Sequence, residues 1–243
     1  MTGGFMIVIT ADQVDSRTGS DRVDAALRLV SGLLGDAAVL PPERTAGDEF
    51  QALVSSGRPA VDVLRALTRQ GGWSIGVGVG PVRSPLPTTI RAATGPAFFA
   101  ARAAVERAKS TPDRFALEVV PGAARTTSEV EPLVAQTLRA LGRRSAEGWE
   151  LADLLDAGLT RTEAAARLDI TPQAVAKRYA SAELRSDAPV RDALAALLAA
   201  ADRPDDGHVT GRPDDGHVTD RPDDAHVTDR DDLAGPASED PAP

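Results

Sequence analysis

The sequence predicts an α+β region followed by an all-α region and a polar tail. Residues up to about Val120 alternate extended apolar runs with amphipathic helical segments, whereas Thr126 to Ala200 consists of successive helical patterns. From Ala201 onward a repeat of Pro, Asp and Gly replaces both patterns. We therefore predict an α+β domain over residues 1–122, a helical domain over 126–200 and a disordered tail over 201–243.

The elements of the first region are predicted in the order strand, helix, strand, strand, helix, strand. They are the segments MIVIT, GSDRVDAALRLVSGLLG, DAAVLPPERTA, EFQALV, RPAVDVLRALTRQ and GWSIGVGVGPV. This order is typical of the ferredoxin-like fold, an antiparallel sheet with helices on one face. A helix from Pro96 to Lys109 and a strand, FALEVV, extend it. The glycines of GVGVG indicate close backbone approach of a ligand or a helix to the last strand of the motif.

Composition excludes several kinds of site. The chain of 243 residues has no cysteine, so it has no disulfide, no thiolate zinc site and no cysteine nucleophile. The amino-terminal apolar run lacks a basic segment before it, and no apolar run reaches the roughly 20 residues that a membrane span needs, so we expect a cytoplasmic protein without a membrane partner. The net charge of −9 belongs to residues 201–243, because the preceding residues hold 23 bases and 23 acids.

The tail contains three copies of a nonapeptide. They are RPDDGHVTG, RPDDGHVTD and RPDDAHVTD, beginning at Arg203, Arg212 and Arg221, and each copy holds one of the three histidines of the chain. Such a composition cannot bury a core, which predicts a solvated, disordered linker. Weak metal capture by the histidines and paired aspartates is the alternative.

Two aspartates are candidate metal ligands. Asp12 ends the first predicted strand, and Asp48 lies in the turn before the third, in the stretch TAGDEFQALV. These strands are neighbours in the predicted sheet, so both carboxylates should lie at one edge. Mg²⁺ or Mn²⁺ is commonly held by one or two carboxylates plus substrate phosphates. Alternatively the acids form only a polar hairpin tip, and Glu49, predicted to face away from Asp48, pairs with a base such as Arg44.

Several motifs resemble nucleotide cyclases. ITADQVDSR is similar to the first strand of class III and diguanylate cyclases, GDEF to their hairpin, and WSIGVGVGPV to their glycine-containing strand. TGPAFFAARAA is similar to a helix of that group and aligns Arg102 with an arginine that offsets phosphate charge, although Phe98 or Phe99 replaces its asparagine. The resemblance implies a palm-like domain that binds nucleotide.

The ordered motifs also resemble the SatD family of bacterial proteins. These motifs are Asp12 with Ser16 and Arg17, Gly47 to Gln51, Gly76 to Gly80, and Gly95 to Ala97 followed by Phe98, Phe99 and Lys109. The resemblance covers about 100 residues and names no reaction. Together the motifs make Ser16, Arg17, Gly47, Glu49 and Arg102 candidate ligand-binding residues beside the two aspartates.

A helix-turn-helix is predicted over residues 160–183. Thr160 and Glu163 have the spacing of a capping box, as do Ser128 and Glu131 at the start of an earlier helix. Asp169 occupies the usual turn position, and Thr171 precedes Pro172 at the start of the second helix. The candidate DNA-binding residues are Thr171, Gln173, Lys177 and Arg178.

DNA binding by one copy should be weak, because residues 149–185 hold 5 bases and 6 acids. A homodimer formed through residues 187–200 would double the phosphate contacts. The leading hypothesis is therefore a regulator in which a cyclase-like domain senses a nucleotide or phosphorylated ligand and the helix-turn-helix binds DNA. The alternatives are a metal-dependent nucleotide-processing enzyme and an interaction scaffold without catalysis.

Overall fold

The computed structural model describes residues 2–203, so the nonapeptide repeats and the predicted disorder of the tail lie outside the described residues. The strands are β1 (Thr2–Gln13), β2 (Ala38–Arg44), β3 (Glu49–Val54), β4 (Trp73–Arg83) and β5 (Phe115–Val119). The helices are α1 (Val23–Leu34), α2 (Gly57–Gln70), α3 (Pro96–Ala108), α4 (Thr127–Gly142), α5 (Ala146–Asp156), α6 (Arg161–Leu168), α7 (Pro172–Ser181) and α8 (Leu184–Ala201). The predicted α+β class is confirmed.

The five strands form one mixed sheet in the order β2-β3-β1-β4-β5. β1 lies between β3 and β4 and is antiparallel to both, and β2 is antiparallel to β3. The four strands that we predicted as an antiparallel sheet, β1 to β4, are antiparallel, and the added strand β5 runs parallel to β4. The reason is α3, which crosses from the end of β4 back to the start of β5, as a parallel connection requires.

Helices cover both faces of the sheet: α1 and α2 share one face, as predicted for the first four strands, and the added helix α3 covers the other. On one face, Ile7 and Ile9 of β1 pack in a common core with buried residues of α1, α2 and the helices after β5. On the other face, Val8 and Leu53 pack against Ala97, Phe98 and Ala101 of α3. We call this second side the α3 face.

Two glycines of β4 allow α3 to lie directly on the sheet. A Cβ atom on Gly78 would lie 2.1 Å from the Ala97 carbonyl oxygen and 2.4 Å from the Ala101 amide nitrogen. A Cβ atom on Gly76 would lie 2.2 Å from the amide nitrogen of Val105. The prediction of close backbone approach at GVGVG is thus confirmed, and the approaching element is a helix.

Both outer strands of the sheet have modified edges. β2 contains Pro41 and Pro42, which an edge strand tolerates because one side of its backbone has no partner strand. Along β5, the Leu117 amide donates to Glu131 Oε2 at 2.7 Å and the Val119 amide donates to Thr127 Oγ1 at 2.9 Å. Side chains of α4 therefore satisfy amides that a further strand would otherwise bind.

The start of α4 corrects one predicted capping box. The capping residues are Thr126 and Glu129, not Ser128 and Glu131. Glu131 lies inside the helix, where it accepts from the β5 backbone and pairs with Arg107 at 2.9 Å. Both pairs have the same spacing of three residues, and the box forms at the earlier pair while Glu131 binds the neighbouring strand edge.

The helices after β5 pack onto the α1 and α2 side of the sheet. A Cβ atom on Gly57, at the start of α2, would lie 2.0 Å from the Ala195 carbonyl oxygen of α8. Leu194 and Leu198 of α8 are buried within the same chain. The apolar residues that we expected to join two copies are thus already in contact with their own chain, and residues 2–203 fall within one compact unit.

None of the helices between residues 2 and 203 combines the length and apolarity needed to cross a bilayer.

We predict opposite effects for two glycine substitutions. Gly78→Ala should lower the free energy of unfolding by about 3 kcal/mol or more, because the new methyl group meets the backbone of α3. Gly32→Ala, in α1 with nothing within 4 Å of the new atom, should raise it by about 0.5–1 kcal/mol. Urea denaturation of both variants measures the difference, and equal effects would contradict the close α3 contact.

Candidate functional site

A row of polar side chains crosses the α3 face near the end of β1. Asp12 lies opposite Glu49 of β3 and Ser74 of β4, and Thr10 lies opposite Gln51. Residues directly opposite each other in a sheet share a face, so these side chains are neighbours on the α3 face. Thr10, Glu49, Gln51 and Ser74 are all buried, and the Asp12 side chain is 16% exposed. A polar patch thus interrupts the apolar packing under the end of α3.

α3 and the residue after it place charged groups over this row. Arg102 Nη2 lies 3.3 Å from Glu49 Oε1, and Lys109 Nζ lies 3.2 Å from Asp12 Oδ2. Lys109 also contacts Glu106 Oε1 at 2.9 Å. These positions depend on the α3 contact with β4, which brings the last turns of the helix above the carboxylates.

The Asp12 carboxylate is in an unfavourable environment for its charge. Burial raises the pKa of Asp12 above its usual value, and the Lys109 ammonium acts against this rise. The nearby negative charges of Asp48 and Glu106 raise the pKa further. A cation bound at this edge would relieve the same repulsion.

Asp48 lies at the same edge as Asp12. The Gln13 amide donates to the Asp48 carbonyl oxygen at 2.9 Å, and Ser16 Oγ donates to Asp48 Oδ2 at 2.6 Å. The structure thus brings together Asp12, Asp48 and Ser16, all of which we named as candidates. Between residues 2 and 203, no group of three or more His, Asp or Glu side chains could hold a metal ion by itself. Two carboxylates would therefore need oxygens of a ligand or water to complete a Mg²⁺ shell.

Glu49 differs from its predicted arrangement. It shares the α3 face with Asp12, and its Oε1 accepts from Thr45 Oγ1 at 2.6 Å in addition to its contact with Arg102. Arg44 pairs instead with Asp21 and Asp24, at 2.8 and 2.9 Å, and donates to the Gly47 carbonyl oxygen. The prediction of a Glu49–Arg44 pair was wrong because the register of the hairpin turns Glu49 toward α3.

The other ligand candidates differ in how they reach this edge. Arg102 joins it through Glu49, and its side chain is 58% exposed, so it remains accessible to a ligand. Arg17 is exposed, and no hydrogen bond or ion pair between described residues brings it to the carboxylates. Gly47 contributes its carbonyl group to Arg44 in the hairpin turn.

Sequence reasoning missed Gln51 and Lys109 as members of the site. Gln51 Nε2 donates to Thr10 Oγ1 at 3.2 Å within the buried row. The alternation of β3 contained a signal for it, since Glu49 and Gln51 are polar residues on one face of a strand that is otherwise apolar. Lys109 was named only as the last residue of the SatD-like motifs, and its contact with Asp12 could not be predicted because it depends on the placement of α3.

The second candidate surface is formed by α6 and α7. Asp169 has a left-handed backbone, with φ of 53°, as expected for the turn position. The predicted capping box of Thr160 and Glu163 is present, and Thr171 Oγ1 accepts from the Ala174 amide at 3.2 Å. Pro172 is the first residue of α7. The local geometry of the two helices is therefore as the sequence predicts.

α7 presents only part of the predicted contact set to solvent. Thr171, Gln173 and Lys177 are exposed, and Val175 is buried. Arg178 is half-buried, with its Nη1 3.2 Å from Glu150 Oε2 of α5. Arg178 is thus held by a neighbouring helix, whereas Gln173 and Lys177 extend from the outer side of α7.

Comparisons with family models, with curated proteins and with solved structures found no match to this chain.

We predict that Asp12→Asn alters how stability depends on pH. Because the pKa of Asp12 is raised in the folded state, the stabilising effect of its protonation is fully present below the usual value of 3.8 and is lost as pH rises through the raised pKa. Asparagine does not titrate, so the variant lacks this loss. The difference between its free energy of unfolding and that of the wild type should therefore shift in favour of the variant as the pH rises from about 3 to about 7.

Lys109→Met serves as the opposing variant in this experiment. Without the ammonium that lowers the pKa of Asp12, the loss of stability on raising the pH should be larger than in the wild type. Urea denaturation at several pH values gives the free energy of unfolding of the wild type and of both variants. Parallel curves for the three would show that Asp12 is not electrostatically strained.

Proposed function

We propose that this chain is a DNA-binding regulator whose α+β part binds a nucleotide or another phosphorylated ligand together with a divalent cation. The main support is the geometry of α6 and α7, in which a left-handed Asp169 joins two short helices and Thr171 caps the second. α7 then presents Gln173 and Lys177 outward. A second helix with an amide and a cation on its outer side suits base-edge and phosphate contacts in a major groove.

The strand order supports the ligand-binding part of the proposal. β2-β3-β1-β4, with α1 and α2 as connections, has the order of a ferredoxin-like fold, which the palm of nucleotide cyclases shares. The resemblance of GDEFQ and GPAFF to the SatD family is a further part of this proposal. Asp12, Asp48 and Ser16 lie where the carboxyl end of β1 meets the turn before β3.

The charges at this edge favour a cation accompanied by an anion. Asp12, Asp48, Glu49 and Glu106 contribute four carboxylates, against the two bases Arg102 and Lys109, a difference of two negative charges. One divalent cation would balance this difference. Arg102 and Lys109 then remain to contact phosphate oxygens, because a cation on Asp12 releases the ammonium that pairs with it.

For DNA, we predict a phosphate-type role for Lys177 and a base-type role for Gln173. Lys177→Ala should weaken binding to all duplexes and reduce the slope of log K against log salt by about 1. Gln173→Ala should reduce discrimination between duplexes with little change of slope. Fluorescence anisotropy with the full chain, using random duplexes and DNA from its own promoter region, measures both.

Arg28→Ala is the matched control for the DNA experiment. Arg28 is an exposed base on α1, remote in sequence from α7, and its removal should leave binding unchanged. If the wild type shows no salt-sensitive binding to any duplex, the regulator proposal fails and a protein-contact role for α6 and α7 replaces it.

For the ligand, we predict that a nucleotide with Mg²⁺ or Mn²⁺ raises the melting temperature of the wild type. A 100-fold excess over the dissociation constant stabilises by about 2.7 kcal/mol, which corresponds to several degrees in a protein of this size. Asp48→Asn should abolish the shift, whereas Asp36→Asn, an exposed substitution after α1, should preserve it. A screen of nucleotides with and without each metal supplies the measurement.

The enzyme hypothesis has its own outcome in the same experiment. It is favoured by the position of Arg102 beside the carboxylates, where a guanidinium could stabilise charge in phosphoryl transfer. If nucleotide triphosphates are consumed with Mn²⁺, and Asp48→Asn stops consumption while the protein stays folded, catalysis replaces sensing as the function of this edge.

A further inference from the structure

A cavity of about 670 Å³ lies between α1, α2, α5 and α8, and none of its lining residues belongs to the polar row of the α3 face. One wall is apolar and is formed by Leu29, Leu33 and Ala66, with Leu33 47% exposed. The other lining residues are Trp149, Gln70, the arginines Arg58, Arg65, Arg69 and Arg191, and the aspartates Asp62, Asp153 and Asp156. The volume is within the range of about 300–1,000 Å³ that is typical of small-molecule sites.

Two of the lining arginines, Arg65 and Arg191, belong to a network of buried charges that also includes Arg144. Arg65, Arg144 and Arg191 have side chains only 14%, 5% and 14% exposed. Their acidic partners are Asp156 and Asp187: Arg65 and Arg191 contact Asp156 at 3.1 and 2.7 Å, and Arg144 contacts Asp187. Together with the more exposed Arg58 and Arg69 and their partners Asp62, Asp153 and Asp192, the cluster holds five arginines and five aspartates.

Hydrogen bonding within this network is also incomplete. Nε of Arg65, Nε of Arg191, and both Nε and Nη1 of Arg144 are buried without a hydrogen-bond partner among the described residues. The guanidiniums of Arg65 and Arg144 lie 4.8 and 4.5 Å from the centre of the Trp149 ring, so cation–π contact provides part of their stabilisation. Burial lowers the pKa of Arg65, and the positive charges of Arg191 and Arg144 add to this effect against the opposing influence of Asp187 and Asp156.

Two arginines at the rim of the cavity remain accessible. Arg69 is 42% exposed and makes a two-point contact with Asp153, at 2.7 and 2.8 Å. Arg58 is 50% exposed and lies 2.7 Å from Asp192 and 3.3 Å from Asp62. An incoming anion can therefore contact Arg69 and Arg58 directly, in competition with their aspartate partners. The buried arginines can act on it only through their electric field, because their unpaired nitrogens are closed to solvent.

We propose that this cavity binds a small organic anion, with a phosphate or carboxylate group against Arg69 and Arg58 and an apolar body along Leu29 and Leu33. The lining holds four arginines, Arg58, Arg65, Arg69 and Arg191, against three aspartates, Asp62, Asp153 and Asp156, and this difference of one positive charge favours an anion. The apolar wall selects a ligand with a hydrocarbon or aromatic body over a free inorganic ion. The site is independent of the DNA surface and of the carboxylate edge, and its test uses neither DNA nor metal.

Calorimetric titration of the full chain with phenyl phosphate tests this site. We expect one saturable site for phenyl phosphate, weaker binding of inorganic phosphate, and no binding of phenol. Parallel titration with phenylacetate shows whether the site prefers phosphate or carboxylate. Arg69→Gln should weaken phenyl phosphate binding by about tenfold or more, because it removes a charge-assisted hydrogen bond.

Asp153→Asn is the opposing variant. It frees Arg69 from its carboxylate partner, so binding should become tighter than in the wild type. A general folding defect would weaken binding in both variants, and the opposite directions separate a local effect from a global one. Leu33→Gln should weaken phenyl phosphate and leave inorganic phosphate unaffected, and Arg83→Gln, an exposed position at the end of β4, should change neither.

Three results would overturn the proposal. The first is the absence of saturable phenyl phosphate binding to the wild type. The second is a change of affinity in the same direction, or no change, in Arg69→Gln and Asp153→Asn. The third is equal affinity for phenyl phosphate and inorganic phosphate. This would show that the apolar wall does not contribute to binding, and it would contradict the choice of an organic ligand.

Discussion

The contact between α3 and β4 determines the rest of the α+β part. With hydrogen atoms at Gly76 and Gly78, the backbone of the helix rests on the backbone of the strand, which any larger side chain would prevent. This contact covers the second face of the sheet and returns the chain so that β5 aligns parallel to β4. It also fixes where Arg102 and Lys109 stand relative to Glu49 and Asp12. A shift of α3 along β4 by one residue would move Arg102 away from Glu49 and Lys109 away from Asp12.

The polar row under α3 is costly for the fold, which supports its interpretation as a site. Thr10, Glu49, Gln51 and Ser74 are buried among residues that are otherwise apolar, and Asp12 carries its charge against the effect of burial. Apolar side chains at these positions would stabilise the sheet without the free-energy cost of burying polar groups. A carboxylate whose pKa is raised by burial, as that of Asp12 is, is typical of functional sites. The contacts of Asp12 with Lys109 and of Glu49 with Arg102 offset part of this cost.

Much of the fold could be predicted from the sequence, because it depends on local patterns. The alternation of EFQALV and the helical spacing of Val23, Val30 and Leu34 identified β3 and α1. Asp169 and Thr171 identified the turn before α7, since few residues suit a left-handed turn followed by a cap. The convergence of Asp12 and Asp48 followed from strand adjacency alone.

The remaining features depend on contacts between distant segments. The face covered by α3, the direction of β5 and the partner of Glu49 depend on register and on helix placement, which no single segment encodes. The arginines around Trp149 illustrate the same limit. Arg65, Arg144 and Arg191 come from α2, the turn after α4, and α8, and only the packing of these segments makes them one network. The cavity above that network therefore had no signal in the sequence.

The β5 edge has a consequence for how the chain can be divided. Its amides at Leu117 and Val119 bind Glu131 and Thr127, which belong to the helical half and not to the sheet. A protein cut between β5 and α4 would therefore expose two unpaired donors on an open strand, the arrangement through which sheets recruit foreign strands and aggregate. The helical half thus protects this edge of the sheet from pairing with strands of other molecules. This protection does not depend on whether the helical half binds DNA.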